Sequence, residues 1–227
     1  MAAYQVREFQ IVGGSAWIDS GQFDVEAERH GTPAGQGEWF DAMSAMLQPL
    51  LQEKLHLRFH RETRRLPVYT LSAAKDRVKF HRSRQQDCKP FIWNRNPIPP
   101  DARWAPDYCG AVETGPNARL NHTLDAVGMK ISEGRDGLAA TLAGELDRLV
   151  IDKTGLSGSF DIRLEWNRDA TSRSVKSGIY DAPPIDADSP SIFTAVEEQL
   201  GLKLAPHKGA VEVLVIDHAE MPAVSAR

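Results

Sequence analysis

The sequence has few cysteines, no long apolar run and no signal-peptide pattern at its start. Only two of the 227 residues are cysteine, which excludes a fold held together by many disulfides. No stretch approaches the roughly 18 consecutive apolar residues of a membrane-spanning helix. The opening residues also lack the basic-then-apolar order of a signal peptide. We therefore expect a soluble globular chain without a membrane span.

Neither sign of charge is in marked excess. Lys and Arg number 27 against 31 for Asp and Glu, and the formal net charge is -4. A nucleic-acid partner is not expected, because such proteins usually carry a basic excess. With 41% hydrophobic and 26% charged residues, the chain is long enough to fold as one large domain or two small ones.

The common catalytic motifs are also missing. The sequence contains no Gly-x-Ser-x-Gly nucleophile motif, no phosphate-binding loop and no dinucleotide-binding fingerprint in its structural context. We therefore assign no catalytic residue, no cofactor site and no metal site from the sequence.

What the sequence does contain is a pattern that recurs. Three blocks reappear in the same order at nearly constant spacing, and such self-similarity indicates a repeated structural unit. The pairs are Ser20–Val25 with Ser157–Ile162, Leu50–Phe59 with Ala195–Leu204, and Pro67–Leu71 with Ala210–Leu214. We therefore predict an α+β fold of two tandem β-α-β-β-α-β-β units, the first truncated at its N-terminus, with mixed sheets and helices on one face.

The repeat divides the chain into four segments. Residues 1–81 form the first, truncated unit and residues 119–221 form the second. Residues 82–118, rich in proline and aromatic residues, form an irregular linker, and residues 222–227 form a tail.

Within the second unit, apolar and polar residues alternate from Phe160 to Trp166, which predicts a half-buried strand. The counterpart in the first unit is Phe23 to Ala27, so Phe23 and Phe160 should occupy equivalent core positions. A helix is predicted from Ile192 to Leu200, with a cap before it and Gly201 after it. Its counterpart, from about Trp39 to Leu55, should be kinked or split at Pro49.

Two further strands follow the helix in each unit. Thr63-Arg64-Arg65 and Lys208-Gly209 suit hairpin turns between them. Because the first unit lacks its opening strand, its sheet should have an edge that needs cover. We expect the strand from Leu120 to Ile131, the linker or a second molecule to lie there, and the last arrangement would give a homodimer.

Two groups of polar residues could carry chemistry. His56 and His60 have a spacing that would suit a metal pair on a helix, but on a strand they lie roughly 13 Å apart. The alternation with Leu57 and Phe59 favours a solvated strand face. Asp152-Lys153-Thr154 could suggest acid-base catalysis, yet neighbouring strand residues point to opposite faces, so a turn is favoured.

Several motifs resemble a known family. Val150–Gly158, Glu198–Leu204 and Val211–Asp217 resemble the C-terminal signature of a large soil-associated family of uncharacterised bacterial proteins, known as a domain of unknown function. His60–Arg64 and Gly13–Asp19 look like its earlier motifs. Members of this family are usually exported, so the resemblance implies a periplasmic or secreted location. The predicted element order is also similar to the short N-terminal domains of secretins and TonB-dependent receptors.

Two functions are compatible with the sequence. The repeat duplicates apolar core positions without duplicating a polar cluster, which favours a non-enzymatic protein that binds a partner protein or another component of the cell envelope. The alternative is a hydrolase with a site in a cleft between the two repeats, built from groups such as His122, Asp152 or Glu165.

Cys88 and Cys109 are predicted to form a disulfide. They are the only cysteines, and both lie in the linker. A bridge closing such a loop removes roughly 3 kcal/mol of conformational freedom from the unfolded chain. The exported habit of the similar family favours the bridge, whereas a reducing cytoplasm would keep two free thiols.

Overall fold

The structure is a computed structural model, and it describes residues 3–21, 23, 36–73, 78–83, 89–90, 108–109, 111–116, 122–132, 137–167 and 189–222. The helices of this part are α1 (Trp17–Ser20), α2 (Gln36–Lys54), α3 (Leu138–Glu145) and α4 (Ile192–Leu200). The first five strands are β1 (Ile11–Gly13), β2 (Arg58–Ala73), β3 (His81–Arg82), β4 (Lys89–Pro90) and β5 (Tyr108–Cys109). The remaining strands are β6 (Ala111–Pro116), β7 (His122–Lys130), β8 (Val150–Asp152), β9 (Ser159–Trp166) and β10 (Leu202–His218).

The described chain combines helices with both parallel and antiparallel strand pairs, which confirms the predicted α+β class. One sheet has the order β1-β10-β2-β8, a second has the order β3-β9-β7-β6, and β4 pairs with β5. In the first sheet β1 runs parallel to β10, and β2 runs parallel to β8. In the second sheet β7 runs antiparallel to both β6 and β9.

Contacts divide the chain into two compact units, each built from segments far apart in the sequence. The first unit contains Met1–Leu66, Ile92–Arg95 and Gly209–Arg227, and the second contains Pro67–Phe91 and Asn96–Lys208. Much of the predicted linker lies outside the described residues. Its described parts form β4, β5 and β6, and β6 pairs with β7 in the second sheet, so these parts are not irregular as predicted. The division of the chain at residues 81 and 118 stays a prediction.

The second unit holds the larger apolar core. Strand β9 has the predicted alternation, because its even-numbered residues from Phe160 to Trp166 are buried while Arg163 is exposed. Helix α4 also begins and ends as predicted. The Ser191 hydroxyl accepts a hydrogen bond from the Thr194 amide at 3.2 Å, and Gly201 takes the left-handed conformation, φ 66°, that ends the helix.

In the first unit, α2 leads into the beginning of β2. The helix includes Pro49 without a break, so the predicted split is absent. The Gln48 side chain donates to the Ala3 carbonyl at 2.7 Å, and the rings of Tyr4 and Phe59 meet edge to face at 4.5 Å. These contacts tie the N-terminal segment to the helix and to the strand that follows it.

The two predicted hairpin turns are wrong. Thr63-Arg64-Arg65 lies inside β2 and Lys208-Gly209 lies inside β10, so each predicted strand pair is one long strand. The two strands are neighbours in the sheet, and His60 faces Asp217 while Thr70 faces Ala205, which indicates an antiparallel pair. The reason is that a neighbouring strand satisfies the backbone of polar residues in an extended conformation, so no turn is needed there.

The tandem repeat is not confirmed. Phe23 lies outside any strand and is 48% exposed, whereas Phe160 is 4% exposed in the core of the second unit, so their expected equivalence is wrong. The rest of the predicted strand, residues 24–27, lies outside the described residues. A short alternation of apolar and acidic residues is typical of a strand. The strand forms only if a neighbouring strand pairs with it, and the alternation does not show whether one does.

One of the three arrangements expected at the sheet edge is wrong. Strand β7, predicted from Leu120 to Ile131, pairs with β6 and β9 in the second sheet and not with an edge of the first. The other two, the linker and a second molecule, stay predictions. The edges of the first sheet are the three-residue strands β1 and β8. Short edge strands limit edge-to-edge pairing between molecules. A homodimer through a sheet edge stays a prediction.

Among the described helices, none combines the length and apolar character needed to cross a membrane.

Candidate functional site

An open cleft lies in the first unit where α2 ends, β2 begins and β10 ends. Its volume is ≈ 750 Å³, within the usual range for small-ligand sites. We call it the strand-end cleft, and it is lined by Gln52, His56, Leu57, Arg58, Phe59, His218 and Glu220. The lining combines apolar surface with two imidazoles, a guanidinium and a carboxylate.

The turn from α2 into β2 places His56 at the cleft. The amides of Leu55 and Leu57 both donate to the Leu51 carbonyl, at 3.1 and 3.3 Å, so the chain wraps around the end of the helix. His56 has a positive φ of 47°, a conformation usually left to glycine at a helix end. A side chain held in this region costs roughly 1–2 kcal/mol. Histidine is one of the non-glycine residues that enter this region more often than most.

Glu220 is fixed opposite this turn by its own backbone. Its amide donates to the Leu55 carbonyl at 2.7 Å, just beyond the end of β10. Its carboxylate accepts a hydrogen bond from His218 Nε2 at 2.9 Å and lies 3.8 Å from His56 Nε2. Two imidazoles from different segments therefore converge on one carboxylate.

The electrostatics of the cleft favour a negative charge at this position. The hydrogen bond from His218 lowers the pKa of Glu220 below its ordinary value, against a smaller opposing effect of burial. The charges of His56, His218 and Arg58 lower the pKa further. Arg58 thus acts on the same carboxylate from the first residue of β2.

A second group of charges lies beside the cleft on β2 and β10. His60 Nδ1 donates to both carboxylate oxygens of Asp217, at 2.9 and 3.1 Å, and this hydrogen bond is the main reason that the pKa of His60 is raised. Arg64 donates to Glu62, which lowers the pKa of that carboxyl. Within each pair the opposite charges neutralise each other, and both pairs lie on an exposed strand surface.

The structure separates the two histidines that the sequence drew attention to. His56 belongs to the cleft, whereas His60 pairs with Asp217 on β10. In the described part of the chain, no three His, Cys, Asp or Glu side chains lie close enough together to hold a metal ion. His60 therefore matches the solvated strand face favoured from the sequence, and His56 does not lie on a strand.

The three residues named for a hydrolase do not converge. His122 is 4% exposed, with its Nε2 3.5 Å from Glu145 and its ring 4.6 Å from that of Trp166. Glu165 is opposite Thr123 in the register, so it points to the other face of the sheet from His122. Asp152 lies in β8, in the other sheet.

Asp152 instead organises a turn, as its surrounding sequence predicted. Its Oδ1 accepts hydrogen bonds from the Thr154 amide at 2.8 Å and the Thr154 hydroxyl at 2.7 Å. The hydroxyl in turn accepts from the Leu156 amide at 3.1 Å, and Gly155 and Gly158 have positive φ angles of 70° and 103°.

The predicted disulfide stays a prediction, because Cys88 lies outside the described residues. The backbone of the neighbouring segment is described. Lys89–Pro90 pairs in parallel with Tyr108–Cys109, with Pro90 opposite Cys109. This pairing brings the chain that follows Cys88 alongside Cys109.

The motifs of these strands and turns match one protein family over almost the whole chain. The family is described as "Protein of unknown function (DUF3738)", and the match covers residues 1–219. The chain belongs to the DUF3738 family. A search of curated proteins and a search of solved structures each found no match.

Most of the strand-end cleft was not predicted from the sequence, in which His56 stood out but had no visible connection with Arg58, His218 or Glu220. His218-Ala219-Glu220 follows the last predicted strand directly, and a histidine and a carboxylate at a strand end are a visible signal. Their contact with His56 depends on how β2 and β10 pair. From the sequence, each of these long strands was expected to be a hairpin, so this pairing was not predicted.

Proposed function

We propose that this DUF3738 protein is a non-enzymatic binding protein of the bacterial cell envelope whose partner docks in the strand-end cleft. The observation that carries the proposal is the composition of the cleft wall. Leu57 and Phe59 offer apolar contact area, while His56, Arg58 and His218 offer donors at the same opening. Apolar surface with a few convergent polar groups is the usual composition of a binding site.

The family resemblance supports the location. The motifs shared with the soil-associated family imply export, and an envelope location puts the cleft in contact with periplasmic or secreted partners. The open shape of the cleft suits a segment of a larger partner, since an extended chain can enter from the side.

Site-specific photo-crosslinking in the producing cells tests the docking role. We expect a photoreactive residue at Gln52, inside the cleft, to capture a discrete envelope component. The same residue at Glu197, an exposed position on α4, serves as the matched control and should capture none. Arg58→Ala should reduce the Gln52 product while leaving the far-ultraviolet circular dichroism unchanged.

Two results would contradict the proposal. One is equal capture at Gln52 and Glu197, which would show that partners contact the cleft no more than another exposed surface. The other is a Gln52 product that consists of cytoplasmic components only, which would place the protein outside the envelope.

A further inference from the structure

The strand-end cleft contains a carboxylate of the protein itself, that of Glu220. His218 donates to it at 2.9 Å, His56 lies 3.8 Å away, and Arg58 contributes a positive charge. All three groups come from the cleft wall, and each recognises anions in proteins. The protein's own side chain thus marks a position in the cleft where a carboxylate is stabilised.

Glu220 can leave this position at small cost. Its side chain is 55% exposed and that of His56 is 63% exposed. Solvent screens exposed ion pairs, so an incoming anion faces a weak competitor. The hydrogen bond between the Glu220 amide and the Leu55 carbonyl does not involve the side chain, so a change of side-chain rotamer does not require it to break.

The surroundings of this position define the rest of the ligand. Leu57 and Phe59 line the same cleft beside the cationic groups. A ligand that matches both features carries a carboxylate next to an apolar group. A peptide whose last residue is apolar has this arrangement, because its terminal carboxylate is one carbon from the side chain.

We propose that the strand-end cleft binds the C-terminal carboxylate of a peptide with an apolar last residue, and that Glu220 occupies the carboxylate position until the peptide displaces it. The inference rests on the proposed docking role and specifies its chemistry. Glu220 acts as an internal competitor, so removing its charge strengthens binding.

Affinity measurements with two small probes test the inference. N-acetylphenylalanine carries the carboxylate and the apolar ring, whereas its amide carries the ring alone. Protein-observed amide NMR titration of the full chain should give tighter binding of the acid than of the amide. Glu220→Gln should bind the acid about fivefold more tightly and the amide equally, because the exposed charge that competes with the acid is removed.

Two further variants locate the effect. Arg58→Gln should weaken binding of the acid about fivefold, since it removes a charge that attracts the carboxylate. Glu197→Gln removes an exposed carboxylate from α4, in the second unit, and should leave both affinities unchanged.

The outcomes separate this inference from the docking role. Equal affinities for acid and amide, no binding of the acid, or no gain in Glu220→Gln would overturn the carboxylate inference. A Gln52-specific crosslink obtained beside such a result would leave the cleft as a docking site for another chemistry. Acid-selective binding without a Gln52-specific crosslink would overturn the proposed envelope role and retain the carboxylate site.

Discussion

His56 combines an unfavourable backbone conformation with a position in the cleft wall. Its φ of 47° is one of two positive values at non-glycine residues in the described part of the chain, the other being Gln5. The end of α2 would form more easily with glycine, which has no Cβ to crowd the carbonyl. A strained residue whose side chain meets a partner across the cleft is typical of a functional position.

Two substitutions of His56 separate the effect of the backbone strain from the effect of losing the imidazole. His56→Ala and His56→Gly both remove the ring, but only glycine relieves the left-handed conformation. We expect the glycine variant to be more stable than the alanine variant by about 1 kcal/mol. Urea denaturation of the two variants measures the difference, and both should bind N-acetylphenylalanine more weakly than the wild type does. An alanine variant as stable as the glycine variant would show that position 56 is not strained.

The His60–Asp217 pair predicts a pH dependence of stability. The hydrogen bond to Asp217 raises the pKa of His60 in the folded state. The resulting stabilisation is fully present below the unfolded-state pKa of about 6.5 and disappears as the pH rises through the folded-state pKa. Asp217→Asn should therefore lower the urea midpoint more at about pH 5.5 than at about pH 8.5.

The control for this prediction is the same substitution in a His60→Gln background. Without the imidazole, Asp217→Asn should have the same effect at both pH values, because the titrating partner is gone. A pH-dependent effect that persists in this background would assign the titration to another group.

At the scale of elements, local signals predicted several parts of the second unit. The alternation in β9, the cap and glycine around α4 and the turn at Asp152 are all confirmed. Each depends on neighbouring residues in the sequence. The long strands β2 and β10 could not be predicted in the same way, because their length follows from pairing with each other and not from local preference.

The N-terminal cap of α4 gives a prediction at this scale. Ser191→Ala removes the acceptor for the Thr194 amide and should reduce the free energy of unfolding by about 1 kcal/mol. Ser191→Asp restores a carboxylate acceptor at the helix N-terminus and should recover most of that loss. Urea denaturation measures both, and an alanine variant as stable as the wild type would show that the cap contributes nothing.

For the whole molecule, the α+β fold class could be predicted from the sequence, whereas the pairing order of the strands could not. Apolar periodicity identifies which residues are buried, as from Phe160 to Trp166, and this is enough for an α+β class. It does not say which distant segments pair. The first unit draws on both ends of the chain, and the cleft lies where they meet within that unit. Most of the site therefore required the structure.

The predicted Cys88–Cys109 disulfide is a further test at this scale. We expect no free thiol in protein purified without reductant and denatured without reducing agent. Reduction should lower the free energy of unfolding by roughly 3 kcal/mol if the loop-entropy account applies. Two free thiols would contradict both the bridge and the extracytoplasmic location that favours it.

The most direct test of the binding site observes the two imidazoles that contact Glu220. Two-bond proton–nitrogen NMR spectra of the histidine rings, assigned with His56→Gln and His218→Gln, are recorded during titration with N-acetylphenylalanine. We predict saturable changes at His56 and His218, with no change at His122, which is buried in the second unit. Unchanged signals from both cleft rings at saturating acid, or equal changes with the amide, would contradict the assignment of the cleft as a carboxylate site.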